Sequence, residues 1–139
     1  MRKIEFRAKK IDSDQWFYGG GIKQYAGGQT FLLSNNERDM PLIHVINPET
    51  VGQFTGLLSK SGKKIFEGDI VVKEICSKGD PAYGVYKENF GVKWFDEGAG
   101  FIFQKIDSPD DCWCPNEYST ANQWEVIGNL YDDPELLKP

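Results

Sequence analysis

The sequence has one histidine, three cysteines and few helix signals. No apolar run approaches the roughly 20 residues that a membrane-crossing helix requires, so no membrane is among the expected partners. The single histidine, His44, sits inside the apolar run Pro41 to Ile46. A histidine so placed is expected to be a packed residue with one hydrogen-bond partner. No Ser/His/Asp set, P-loop or dinucleotide fingerprint can be read from the chain. An enzyme is therefore the last of the function classes, and no catalytic residue or cofactor is assigned.

The cysteines are an odd set: Cys76, Cys112 and Cys114. With His44 they are the four donors a zinc ion would have to use. Their Cys-X-Cys spacing is not that of paired Cys-X-X-Cys knuckles, so no metal is assigned. The start, MRKIEFRAKK, contains no apolar segment of the secretory kind. A cytoplasmic protein with free thiols is expected.

Basic charge is also in short supply. Lys and Arg number 16 against 21 Asp and Glu, a formal charge of -5. Nucleic-acid binding draws on clustered cations that release counterions, and an acidic chain lacks that footprint. Nucleic acid is therefore the second choice of partner. It would require Arg2, Lys3, Arg7, Lys9 and Lys10 to gather on one lobe, with an aromatic platform such as Trp16, Tyr18 or Trp94.

What the chain does have is aromatic and extended. It carries 9 Phe, 6 Tyr and 4 Trp in 139 residues, enough for one modest core. Ile4 to Ala8 alternates apolar and polar, Asp12 to Asp14 breaks the pattern, and Gln15 to Tyr18 resumes it before Gly19-Gly20-Gly21, which predicts a hairpin followed by a bend. Ile22 to Tyr25 and Thr30 to Leu33 predict two short strands, and Pro41 to Ile46 a buried one. Asn47-Pro48-Glu49-Thr50 and Asp133-Pro134-Glu135 carry helix-start grammar and predict two short helical turns. Phe54 to Leu58 and Lys63 to Phe66 flank a Ser59-to-Gly62 reversal, and Gly68-Asp69 is a bend leading into Ile70-Val71-Val72. Ala82 to Lys87 and Phe90 to Phe95 predict two strands around Glu88-Asn89. Asp96 to Gly100 then turns the chain into Phe101 to Ile106.

Residues 107 to 123 have no period and are longer than most connections in a compact domain. Trp113 and Tyr118 beside their acidic neighbours are the expected protein-binding tip, because aromatic anchors concentrate interface energy.

Three stretches in order resemble one family. They are Pro48-Glu49-Thr50-Val51-Gly52-Gln53-Phe54-Thr55-Gly56-Leu57, then Gly62-Lys63-Lys64-Ile65-Phe66-Glu67-Gly68-Asp69-Ile70-Val71, then Trp124-Glu125-Val126-Ile127-Gly128-Asn129-Leu130-Tyr131 with Pro134 to Leu137. With the opening Phe6-Arg7-Ala8, they resemble the YopX family of phage and prophage proteins. Lys9-Lys10 departs from the family's usual start, and 107–123 looks like an insertion. The resemblance implies a small SH3-like β-barrel encoded by phages or integrated elements of bacteria, and it brings neither an established activity nor catalytic residues.

The fold expected is thus mainly β: an N-terminal lobe of short strands over 1–46, an SH3-like barrel over 47–139, and one or two short helical turns. One continuous domain over 1–139 is the alternative. The function expected is a non-catalytic protein-binding or assembly module that contacts a phage or host protein, with self-association through strand edges as a further contact.

Overall fold

The computed structural model describes residues 3–35, 38–116, 120 and 123–138. The chain is mainly β, its strands run in three antiparallel sheets, and none of these closes into a barrel among the described residues. It divides into two compact units, Met1–Gly56 and Leu57–Pro139.

In the first unit, β1 (Phe6–Lys9) pairs antiparallel with β2 (Trp16–Gly19), with Ala8 opposite Phe17. Asp12, the type of residue that tolerates a left-handed backbone, turns the chain between them at φ 58°. The bend expected at the triple glycine is where β2 gives way to β3 (Gly21–Gln24). Only the first of these glycines is sterically required: a Cβ on Gly19 would run into the Leu33 carbonyl, whereas one on Gly20 would meet nothing. The second sheet of this unit runs β3, β4 (Thr30–Asn35), β5 (Pro41–Ile46). Ala8, Leu32 and Ile46 form the core, with Phe6, Phe17, Ile22 and Val51 packed against it. Asn47 caps the short turn Pro48–Thr50 by accepting the Glu49 amide at 3.1 Å, as its grammar predicts.

β5 is not the buried strand its apolar sequence suggests. It lies at the edge of its sheet, with Ile46 buried but Leu42, Ile43 and Val45 exposed. Its outward side is covered at one end, where the Ile11 amide donates to the Val45 carbonyl at 3.1 Å and Lys10 bridges to Ile46. At the other end stands Pro41, which has no amide hydrogen to offer.

Strand β6 (Gly52–Leu58) begins in the first unit beside β1 and carries the chain into the second. There Ser59 to Gly62 reverses it into β7 (Lys64–Phe66), with Gly62 at φ 84°. Gly68, at φ 92°, and Asp69 make the next bend, and the buried Asp69 carboxylate accepts the Phe66 amide at 2.8 Å.

The second unit's five-stranded sheet comprises β8 (Asp69–Cys76), β9 (Val85–Phe95), β10 (Gly100–Lys105), β11 (Cys112–Trp113) and β12 (Trp124–Asn129), in the order β11-β10-β9-β8-β12. β9 is one strand of eleven residues rather than two: Glu88 and Asn89 continue the ladder opposite Lys73 and Val72. Glu88 is held there by Lys105, whose ammonium lies 2.9 Å from its carboxylate. The Glu88 hydrogen bond, opposed by partial burial, also raises the Lys105 pKa. The hairpin of β9 and β10 forms as expected, with Trp94 edge-on to Phe101 at 5.1 Å. Ile65, Val71, Phe90, Val92, Phe103, Trp124 and Val126 form this unit's core, and Leu57 packs on it.

Candidate functional site

Sequence reasoning places the binding tip at Trp113 and Tyr118. Tyr118 lies outside the described residues. Trp113 is not on a loop: it belongs to a two-residue edge strand, opposite Phe103 on β10. Trp113 is 42% exposed; its ring lies 6.3 Å from that of the fully buried Trp124 and carries the Lys73 ammonium 3.9 Å from its centroid. Lys73 is also 5.5 Å from the Trp124 ring. The quadrupole of each indole attracts the cation, so Trp113 is anchored rather than waving. No sequence signal links the three: Lys73 stands opposite Trp124 on the paired strands β8 and β12, and the curl of the sheet brings Trp113 of the far edge strand to them.

Of the basic residues named for nucleic acid, Arg2 lies outside the described residues. Lys3 is exposed and pairs with Glu5 at 3.5 Å. Lys10 is exposed beside Ile46. Arg7 and Lys9 are buried, their charges 4.8 and 5.4 Å from the Trp16 ring, and Lys9 reaches Asp14 at 3.5 Å. Two of the four described cations are thus packed on an aromatic face instead of presented to solvent. The two-residue period puts Arg7 and Lys9 on the same face, which was legible; that the face is covered was not.

His44 lies flat on Phe17, with centroids 4.1 Å apart, and its Nε2 meets the Ser34 hydroxyl at 3.0 Å. This is the packed histidine with one partner that the sequence predicts. A serine beside an imidazole is also the start of a nucleophilic dyad, but among the described residues no carboxylate orients the far ring nitrogen. Cys112 and Cys114 are exposed and Cys76 half-buried, and among the described residues no group of three or more His, Cys, Asp or Glu is disposed to hold a metal ion.

The groove that sequence reasoning missed lies in the first unit. Its volume is about 650 Å³, its apolar lining comes from Ile4, Tyr18, Leu33 and Ile43, and the floor crosses Gly19 to Gly21. Ile43 is 66% exposed and Ile4 58%. The signal was the run Pro41 to Ile46, whose apolar side chains read as core because alternation alone cannot distinguish a covered face from an open one.

In the second unit, Glu125 clasps the Ser59-to-Gly62 reversal. Its Oε1 accepts the hydroxyls of Ser59 at 2.8 Å and Ser61 at 2.9 Å and the Val126 amide at 3.0 Å, and Oε2 accepts the Ser61 amide at 3.0 Å. Burial pushes its pKa up, but the hydrogen bonds outweigh it and the net pKa is lowered. The unfolded chain therefore takes up this proton first as pH falls. The stability contributed by Glu125 is complete above the unfolded-state pKa and is lost as pH drops through the lower folded-state value. Glu125→Gln is expected to cost on the order of 1 to 2 kcal/mol at neutral pH. Urea midpoints should fall less steeply with acid for the variant than for the parent chain; parallel acid limbs would refute the clasp.

The YopX family, described as YopX protein, matches residues 5–138. The chain belongs to the YopX family. The three motif stretches quoted from the sequence all fall inside the match. They map onto the capped turn at Pro48, the Gly68-Asp69 bend and the β12 strand that carries Trp124 and Glu125. Within this YopX-family chain the motifs thus mark corners and core. A crystal structure of protein EF1440 from Enterococcus faecalis is similar, with a TM-score of 0.58 and 21% identity, covering 97% of this chain and 98% of that one. At that identity the likeness shows the fold. No curated protein is significantly similar in sequence.

Proposed function

We propose that this YopX-family chain is a non-catalytic protein-binding module, encoded by a phage or prophage and acting in the cytoplasm of the bacterial host. The observation that carries this reading is the apolar groove of the first unit. Ile4, Tyr18, Leu33 and Ile43 leave a concave hydrocarbon surface in water, and contiguous exposed apolar surface on a globular chain marks a place of contact. Of the polar groups at its rim, Lys3 pairs with Glu5 at 3.5 Å and Ser34 with His44 at 3.0 Å, and among the described residues no carboxylate orients the far ring nitrogen of that histidine. The second unit supports an SH3-like barrel reading. Four strands follow one another as a meander, the last strand returns to the outer side of the first, and the curl brings Trp113 of one edge strand to within 6.3 Å of Trp124 of the other.

The test is capture by the tagged chain from induced or infected host cells, at low and high salt, with and without nuclease. We expect a protein that survives high salt and nuclease, and that is lost with Ile43→Asp, a substitution at a side chain too exposed to disturb the fold. Recovery of nucleic acid that disappears with nuclease or salt, in place of a protein, would overturn the proposal.

A further inference from the structure

The register of the sheet β3-β4-β5 sorts its residues onto two faces. Ile22, Leu32 and Ile46 belong to the core face. On the other face Gly21, Leu33 and Ile43 form one cross-strand row, and Lys23, Phe31 and Val45 form the next. This second face is apolar too, yet Leu33, Val45 and Ile43 are 38, 42 and 66% exposed. An antiparallel sheet with one side in water ordinarily alternates apolar with polar. A sheet that is apolar on both sides is built to be covered on both.

Three observations select a second copy of the chain as the cover. The first is shape. A two-fold axis that runs along the strands through Leu33 reverses the row in the facing copy. Ile43 of each copy then comes over Gly21 of the other, the largest projection over the position with no side chain, and Leu33 meets Leu33. In the next row Phe31 meets Phe31, and the Lys23 stem lies over Val45 while its ammonium stays at the rim, where it is 5.0 Å from the Tyr25 ring. The second is charge. The two rows hold no carboxylate in a chain that has 21 Asp and Glu, so the -5 carried by each copy is kept off the contact. The one acid at the groove beside them, Glu5, is paired with Lys3. The third is area. With Tyr25 and the groove residues Ile4 and Tyr18, the exposed apolar surface comes to roughly 600 to 700 Å² per copy, so two copies would bury about 1,200 to 1,400 Å², which is within the range of specific interfaces.

We propose that this face is the contact of a two-fold symmetric dimer of the chain. The inference rests on the protein-binding reading of the groove and names its occupant: the Ile43 side chain of the partner copy seats over the glycine floor. Sheets packed face to face keep their strands within about 30° of each other, which an axis along the strands provides. A two-fold contact of this kind uses up the face on both copies and so stops at two.

Sedimentation velocity of the full chain over a range of concentrations, at low and high salt, tests it. We expect a reversible monomer–dimer equilibrium that survives high salt, because screening removes repulsion between two acidic chains and no attraction at the face. Ile43→Asp should weaken the dimer at least tenfold. Gly21→Ala is the sharper variant. Its Cβ would stand 3.5 Å from Leu33 Cδ1, an ordinary contact, so the monomer should keep its circular dichroism and urea midpoint. The recess would be filled, and the dimer should weaken about tenfold. A monomer at every concentration, a dimer indifferent to both substitutions, or growth beyond two copies would each overturn the inference. A persistent monomer, with capture of a different protein that is lost with Ile43→Asp, would overturn this inference alone and leave the protein-binding reading of the groove standing. A dimer indifferent to Ile43→Asp, with capture equally indifferent, would remove both.

Discussion

Replacing Trp124 by alanine is expected to lower stability by about 3 to 5 kcal/mol, the range for emptying a buried tryptophan site. Globular domains are stable by only about 5 to 15 kcal/mol, so most of the second unit's margin would go. Trp124 is fully buried and edge-on to Phe90 and Phe103 at 4.8 and 4.9 Å, so its removal leaves two aromatic rings without their central partner. The cavity would be flanked by strands paired on both sides, which cannot easily collapse into it. One detail sharpens the expectation: among the described residues the buried indole nitrogen has no hydrogen-bond partner. Trp124→Phe removes that unsatisfied donor while keeping an aromatic ring, so it should cost clearly less than the alanine variant. Urea titrations of the parent and both variants decide the matter; equal losses for phenylalanine and alanine would show that edge-to-face packing is not what the site supplies.

The first unit should respond comparably to Leu32→Ala, with a loss of about 2 to 5 kcal/mol. Leu32 is fully buried between Ala8 and Ile46, and Phe6, Phe17, Ile22 and Val51 close around them. Among the described residues this cluster draws only on residues up to Val51, and the Trp124 cluster only on residues from Leu57 onward. Amide exchange should therefore accelerate in β1, β4 and β5 of the Leu32 variant. A rise confined to β8, β9 and β10 would contradict the assignment of Leu32 to its own core.

The strands, the capped turn at Pro48 and the bend at Gly68-Asp69 were legible because each is local: period-two alternation, a capping side chain, a glycine at positive φ. The β9–β10 hairpin was legible for the same reason. Errors arose where a distant partner decides the outcome. Glu88 and Asn89 read as a break, yet the Lys105 ammonium, 2.9 Å from Glu88, holds them in the ladder. Cys112 and Trp113 are too few to show any period, and their pairing with Gln104 and Phe103 depends on where the returning loop falls. Pro41 to Ile46 has the composition of a core strand, and its edge position depends on which strands flank it. The sites were less legible still. The burial of Arg7 and Lys9 under Trp16 turned a supposed basic patch into packing.

The way β5 ends its sheet bears on how densely the chain can be present. An exposed apolar edge ordinarily becomes a template on which further copies add, and the growth rate rises with concentration. Here the Ile11 amide occupies the Val45 carbonyl and Pro41 offers no donor, so only the short run up to Ile43 remains for a newcomer to pair with. That is too little to seed a fibril. Accumulation to high copy number therefore need not end in polymer, and the hydrocarbon beside that edge can stay uncovered until something of the right shape arrives.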